Sequence, residues 1–144
     1  MTVIAWDGKT LAADKQNTSA GHATTVTKIH RVPGGLVGFT GNAGHANALL
    51  TWFREGRNPA DWPKKGGEDS AGVMFVTDDG ELRGYSGDDG PNYVLYEDKF
   101  VAFGAGRDYA LAAMYLGSDA RRAVEVACAL DNSCGMGIDT LELR

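Results

Sequence analysis

Cysteine is scarce: Cys128 and Cys134 are the two in 144 residues. Two thiols close together near the C-terminus do not make the framework of a disulfide-stapled secreted domain. Cys128 ends an apolar helical pattern and reads as a buried thiol, and the expected setting is a reduced, cytoplasmic one. The three histidines, His22, His30 and His45, are scattered without metal-ligand spacing, so no metal site is expected. There is no basic cluster. Lys64-Lys65 is an isolated pair in a chain of net charge −5, which argues against a nucleic-acid partner. No apolar run is long enough to span a bilayer, so no membrane role is expected. The apolar stretch after Met1 lacks a basic flank and is interrupted by Asp7, so it does not read as a signal peptide. Asp78-Asp79-Gly80 and Asp88-Asp89-Gly90 lack calcium-loop spacing. Gly104-Ala105-Gly106 lacks the rest of any nucleotide fingerprint, so no cofactor is expected. Proline is also rare, four against twenty glycines; with 43% hydrophobic residues this means many turns and not disorder.

What is present suits one α+β domain over residues 1–144 with a sizeable core. Strands are expected at Thr25–Arg31, Leu36–Thr40, Ala71–Thr77, Glu81–Ser86, Tyr93–Tyr96, Phe100–Gly104 and Gly137–Leu143. A helix is expected from Ala43 to Glu55, with Asn42 as N-cap and Gly56 as stop. Its apolar stripe is Ala46, Leu49, Leu50 and Phe53. Residues 57–68 read as a loop. Two further helices are expected at Arg107–Leu116 and Asp119–Leu130, with Ser118 capping the second. Trp6, Trp52 and Trp62 read as core or interface residues.

The most informative segment is the first fourteen residues. If Met1 is removed, Thr2 carries a free α-amine beside its hydroxyl, a base and a nucleophile in one residue. The unperturbed amine has a pKa of roughly 7.7–8.0, suited to base catalysis. Thr2–Trp6 and Lys9–Asp14 read as a hairpin turning at Asp7-Gly8. The hairpin returns Asp14 beside Thr2. Taken alone, Asp14 reads as a strand end meeting water.

Thr2, Asp14 and Lys28, the last in Thr25-Val26-Thr27-Lys28-Ile29, resemble the opening of the proteasome β-subunit family, with the HslV-type peptidase subunit as the nearest branch. Gly38-Phe39-Thr40-Gly41-Asn42-Ala43 is similar to that family's strand-to-helix segment. Phe100 through Ala110 resembles its strand–Gly-Ser-Gly–helix segment, and Asp131-Asn132-Ser133-Cys134-Gly135 its Asp-x-x-Ser-Gly segment. The four segments occur in order over nearly the whole chain. There are departures. Ala105 and Cys134 stand where the family usually has serines. Asn42 and His45 replace the usual glycine and acidic residue, and the loops flanking Asp14 are shorter.

The resemblance implies a four-layer α-β-β-α sandwich of the N-terminal-nucleophile hydrolase type. It implies Thr2 as nucleophile, Asp14 and Lys28 as its support, the Gly41 N–H as oxyanion donor and Asp131 as a further site residue. Phe39 and Ala43 would shape the substrate pocket, the bulk of Phe39 favouring small or medium side chains. The implied function is a threonine-type peptidase acting on polypeptides inside a homo-oligomeric ring, with a separate ATPase for unfolding. The helix from Ala43 and the helix pair after Gly106 are the expected contact surfaces. Two alternatives stand beside it: a catalytically weak or inactive ring or scaffold protein, and an N-terminal-nucleophile amidase acting on a small amide.

Overall fold

The computed structural model describes residues 2–144; the expected removal of Met1 concerns a residue outside them. Strands β1 (Ile4–Trp6) and β2 (Thr10–Asp14) form the expected hairpin. Its turn is centred one residue later than Asp7-Gly8. The Asp7 carboxylate accepts from the N–H groups of Lys9 and Thr10, and Gly8 takes φ +97°, a conformation glycine adopts without steric cost.

A second hairpin follows that the sequence does not announce: β3 (Gln16–Ser19) with β4 (His22–Thr25). Its turn holds Ala20 at φ 51° and Gly21 at φ 77°. An alanine at positive φ carries no turn signal, so the expected strand from Thr25 begins only at β5 (Ile29–Val32). Next come β6 (Gly35–Gly41), α1 (Ala43–Arg54), β7 (Ala71–Thr77), β8 (Leu82–Ser86), β9 (Tyr93–Tyr96), β10 (Val101–Phe103), α2 (Arg107–Tyr115), α3 (Ala120–Leu130) and β11 (Ile138–Glu142). The stretch 57–68 is not all loop, since it holds short 3₁₀ turns at Pro59–Asp61 and Gly67–Asp69.

Two of the three helix starts among the described residues, those of α1 and α3, follow from side-chain capping. The Asn42 side chain accepts from the His45 N–H. At α3 the cap is Asp119, not Ser118: its carboxylate accepts from the Arg122 N–H at 2.8 Å. Asp7 takes the next orphan donor, the Ala120 N–H, which ties the first hairpin turn to this helix.

One sheet has the order β10-β1-β2-β11 and the other β5-β6-β7-β8-β9, all antiparallel. Alternation along the strands sorts the core into three apolar zones. Ile4, Trp6, Leu11 and Ala13 face Ile29, Leu36, Met74 and Val76 between the sheets. Val3, Ala5 and Ala12, one residue out of phase, pack on the small-residue faces of α2 and α3. Val37, Phe39, Val73 and Phe75 turn the other way onto Leu49, Trp52 and Phe53 of α1. Helix pair, sheet, sheet and helix are thus stacked in that order. Trp6 and Trp52 are core residues, while Trp62 is partly buried against Trp52 and Tyr85. Among the described residues, no helix is long and apolar enough to cross a membrane.

Candidate functional site

The β1–β2 register sets Asp14 across from Val3, one residue from Thr2. Asp14 does not meet water; it is 0% exposed. A buried carboxylate must be fully bonded, and Asp14 is. Oδ1 accepts from the Val3 N–H at 3.1 Å and from Lys28 Nζ at 2.8 Å. Oδ2 accepts from the N–H groups of Gln16 and Gly135 at 3.3 and 3.0 Å.

Lys28 precedes β5, and its carbonyl accepts from the Phe39 N–H, which anchors it against β6. Its ammonium donates to Asp14 and, at 3.2 Å, to Thr2 Oγ1. Thr2, Asp14 and Lys28 are all buried. The three therefore form one chain of charge-assisted hydrogen bonds that ends on a hydroxyl.

Thr2 is held from the far side by the segment after β10. The Gly106 N–H donates to the Thr2 carbonyl at 3.1 Å. At Gly104, which has φ +99°, a Cβ would lie 2.1 Å from that same oxygen, so only glycine fits. Ala105 between them is exposed and brings no hydroxyl.

Gly41 ends β6 at φ +85°, and a Cβ there would lie 2.7 Å from the Ser70 carbonyl. Its partner in register is Ala71. The Ala71 N–H goes to His45 Nδ1 and the Ala71 carbonyl accepts from Gly87. His45, 2% exposed, is thus a structural pin between α1 and β7. Because Nδ1 accepts, the ring proton sits on Nε2 and is donated to the Pro63 carbonyl.

A cavity of about 370 Å³ opens beside Thr2 and reaches Lys28, Gly41, Phe39 and Ala43. Five of the residues singled out in the sequence thus surround one space. Asp131 is not among them. It caps the C-terminus of α3 and its carboxylate accepts from the N–H and hydroxyl of Ser133, which hold it below the usual carboxylate range. Its link to the site runs along the backbone through Gly135, whose N–H reaches Asp14. His30, Leu50, Glu68 and Thr18 also line the cavity and were not singled out. His30 was legible, since it lies two residues after Lys28 and so on the same side of an extended chain. Glu68, on a stretch expected to be loop, carried no signal.

Cys128, expected to be buried, is half-buried, and Cys134 is buried. Burial, then the nearby Asp14 charge, pushes the Cys128 thiol up to about 11 and raises Cys134 as well. With its thiol at about 11, Cys128 carries about a hundredfold less thiolate near pH 8 than an ordinary cysteine. Alkylation of native protein at pH 8 should therefore be slower than that of unfolded protein by about this factor. Equal rates would contradict the packing around α3. Among the described residues, no group of three histidine, cysteine or acidic side chains is placed to hold a metal ion.

No protein-family model matches the chain, and no curated protein matches it in sequence. Solved structures do match in shape. BPH of Thiobacillus denitrificans in complex with epoxomicin superposes with a TM-score of 0.73 at 21% identity, covering 100% of both chains. A second structure of that BPH gives 0.65 at 21% identity, over 99% of this chain and 98% of the other. Anbu, an ancestral β-subunit from Yersinia bercovieri, gives 0.65 at 12% identity, over 98% of this chain and 80% of its own. The chain shares the fold of these proteasome-like proteins.

Proposed function

We propose that this protein is a threonine-type peptidase subunit, an N-terminal-nucleophile hydrolase that acts after loss of Met1, in the cytoplasm, within a ring-shaped homo-oligomer. The observation that supports this most is the position of Lys28 Nζ, 2.8 Å from Asp14 and 3.2 Å from the Thr2 hydroxyl. A buried ammonium, already paired with Asp14 and aimed at a hydroxyl, is placed to offset negative charge that develops on that oxygen. The HslV-type branch rests on the sequence motifs, whereas the matching folds are those of BPH and Anbu.

In this reading the Thr2 amine, through a water, takes the proton of its own Oγ1. The oxygen adds to a peptide carbonyl while Lys28 offsets the developing alkoxide and the Gly41 N–H donates to the oxyanion. The amine proton passes to the departing nitrogen as the C–N bond breaks, leaving an ester on Oγ1. Water, deprotonated by the same amine, then cleaves the ester. Phe39 and Ala43 border the space for the substrate side chain. Epoxomicin, bound in the Thiobacillus structure, is a fitting probe. Protein starting at Thr2 should hydrolyse fluorogenic peptides and lose that activity with epoxomicin; absence of both would end this reading.

A weak or inactive ring protein is the second reading. It is favoured by the absence of a hydroxyl at Ala105 and Cys134 and by the capture of Asp131 by Ser133. In either case assembly is expected. Tyr115 and Leu116, at the end of α2, are 81% and 84% exposed, apolar surface suited to contact with another copy. Any unfolding of folded substrates would fall to a separate ATPase. Light scattering should give a ring-sized particle at micromolar concentration. A strict monomer would overturn the chambered model and favour an amidase for small amides.

A further inference from the structure

The cavity beside Thr2 has a charge balance of its own. The Lys28 charge is met by Asp14. His30, which also lines the cavity, is held below its ordinary value by burial and then by the Arg54 charge. It is therefore neutral at pH 7. What remains is Glu68, which lines the cavity from the turn just before β7. That turn is fixed. The N–H and hydroxyl of Ser70 both donate to the Gly67 carbonyl, and the Ser70 carbonyl in turn accepts from the Asn42 N–H beside Gly41. Among the described residues nothing bonds the Glu68 carboxylate. Ala43, Ala46 and Leu50 give the cavity an apolar side, and polar side chains such as Asn42 and Asn47 line the rest. Phe39 does not fill the space. It is 5% exposed and packs on His30 and Phe53. The small or medium side chain expected from its bulk is therefore not imposed.

A cavity with an apolar side and one unmatched carboxylate suits a side chain with an aliphatic stem and a cationic head. We propose that this cavity selects lysine or arginine on the residue preceding the scissile bond, with Glu68 meeting the charged head. This rests on the peptidase reading above and goes beyond it by naming the substrate class.

The test uses protein beginning at Thr2 and three fluorogenic peptides that differ only in arginine, leucine or glutamate before the reporter. The arginine peptide should have the highest kcat/KM. Glu68→Gln should lower the arginine-to-leucine ratio about fivefold, the upper range for an exposed ion pair, and 0.5 M salt should lower it in the parent as well. Glu68→Lys should raise the glutamate peptide relative to arginine. In parallel, N-acetyl-arginine amide and N-acetyl-leucine amide are titrated into Thr2→Ala protein by NMR. Arginine amide should shift the His30 resonances, and Glu68→Gln should weaken that binding. If peptides are cleaved with no arginine preference, or with one that Glu68→Gln leaves in place, the inference falls and the peptidase reading stands. If nothing is cleaved but the arginine amide binds in a Glu68-dependent way, the peptidase reading fails and the cavity assignment holds. If nothing is cleaved and neither amide binds, both are overturned.

Discussion

Thr2→Ala protein is expected to fold and to hydrolyse no peptide above background. The substitution removes the hydroxyl that the buried Lys28 addresses and leaves the Lys28–Asp14 pair in place. Thr2 is 5% exposed and loses only a small group, so the structural cost should be slight. Lys28→Ala should lower kcat at least about a hundredfold, the scale of losing one preorganised electrostatic group. Steady-state hydrolysis, with circular dichroism as a control for folding, checks both. Unchanged turnover in purified Thr2→Ala protein would remove the mechanism.

Asp14→Ala is expected to be the most destabilising single change in the site. It strands the Lys28 ammonium, which is 8% exposed, and deprives the N–H groups of Val3, Gln16 and Gly135 of their acceptor. Removing one partner of a buried ion pair costs about 3–5 kcal/mol, which urea unfolding would read. A loss below about 1 kcal/mol, the ordinary effect of a point substitution, would mean that the pair is hydrated in solution. The double variant Asp14→Ala/Lys28→Met should recover part of the loss, because it removes the stranded charge as well. A double variant no more stable than Asp14→Ala would show that the amide donors, not the charge, dominate.

Much of this site was legible because it is built from local geometry. A hairpin turning near Gly8 returns Asp14 to the start of the chain whatever the rest of the fold does. Asn42 caps α1 as its side chain predicts, which places Gly41 at a sharp strand-to-helix junction. Lys28, Gly41 and Asp131 entered through resemblance, and the structure treats them differently. Lys28 and Gly41 border the cavity. Asp131 does not, because Ser133, two residues on, offers it a closer partner. The burial of Asp14 was illegible: one of its four donors, the Gly135 N–H, lies 121 residues away. So was the β3–β4 hairpin, whose turn uses Ala20 in a conformation that alanine rarely adopts. Glu68 escaped for a similar reason. Its place beside the cavity depends on Ser70 and Asn42, a tertiary contact that no periodicity reveals.

The most direct test of the central claim is an intact-mass measurement with peptide mapping on natively expressed protein, before and after reaction with a peptide bearing a C-terminal electrophile. The account predicts a chain that begins at Thr2 and gains one peptide adduct, located on Thr2. Active protein that retains Met1, or an adduct carried by Cys128, Cys134 or any residue other than Thr2, would contradict it.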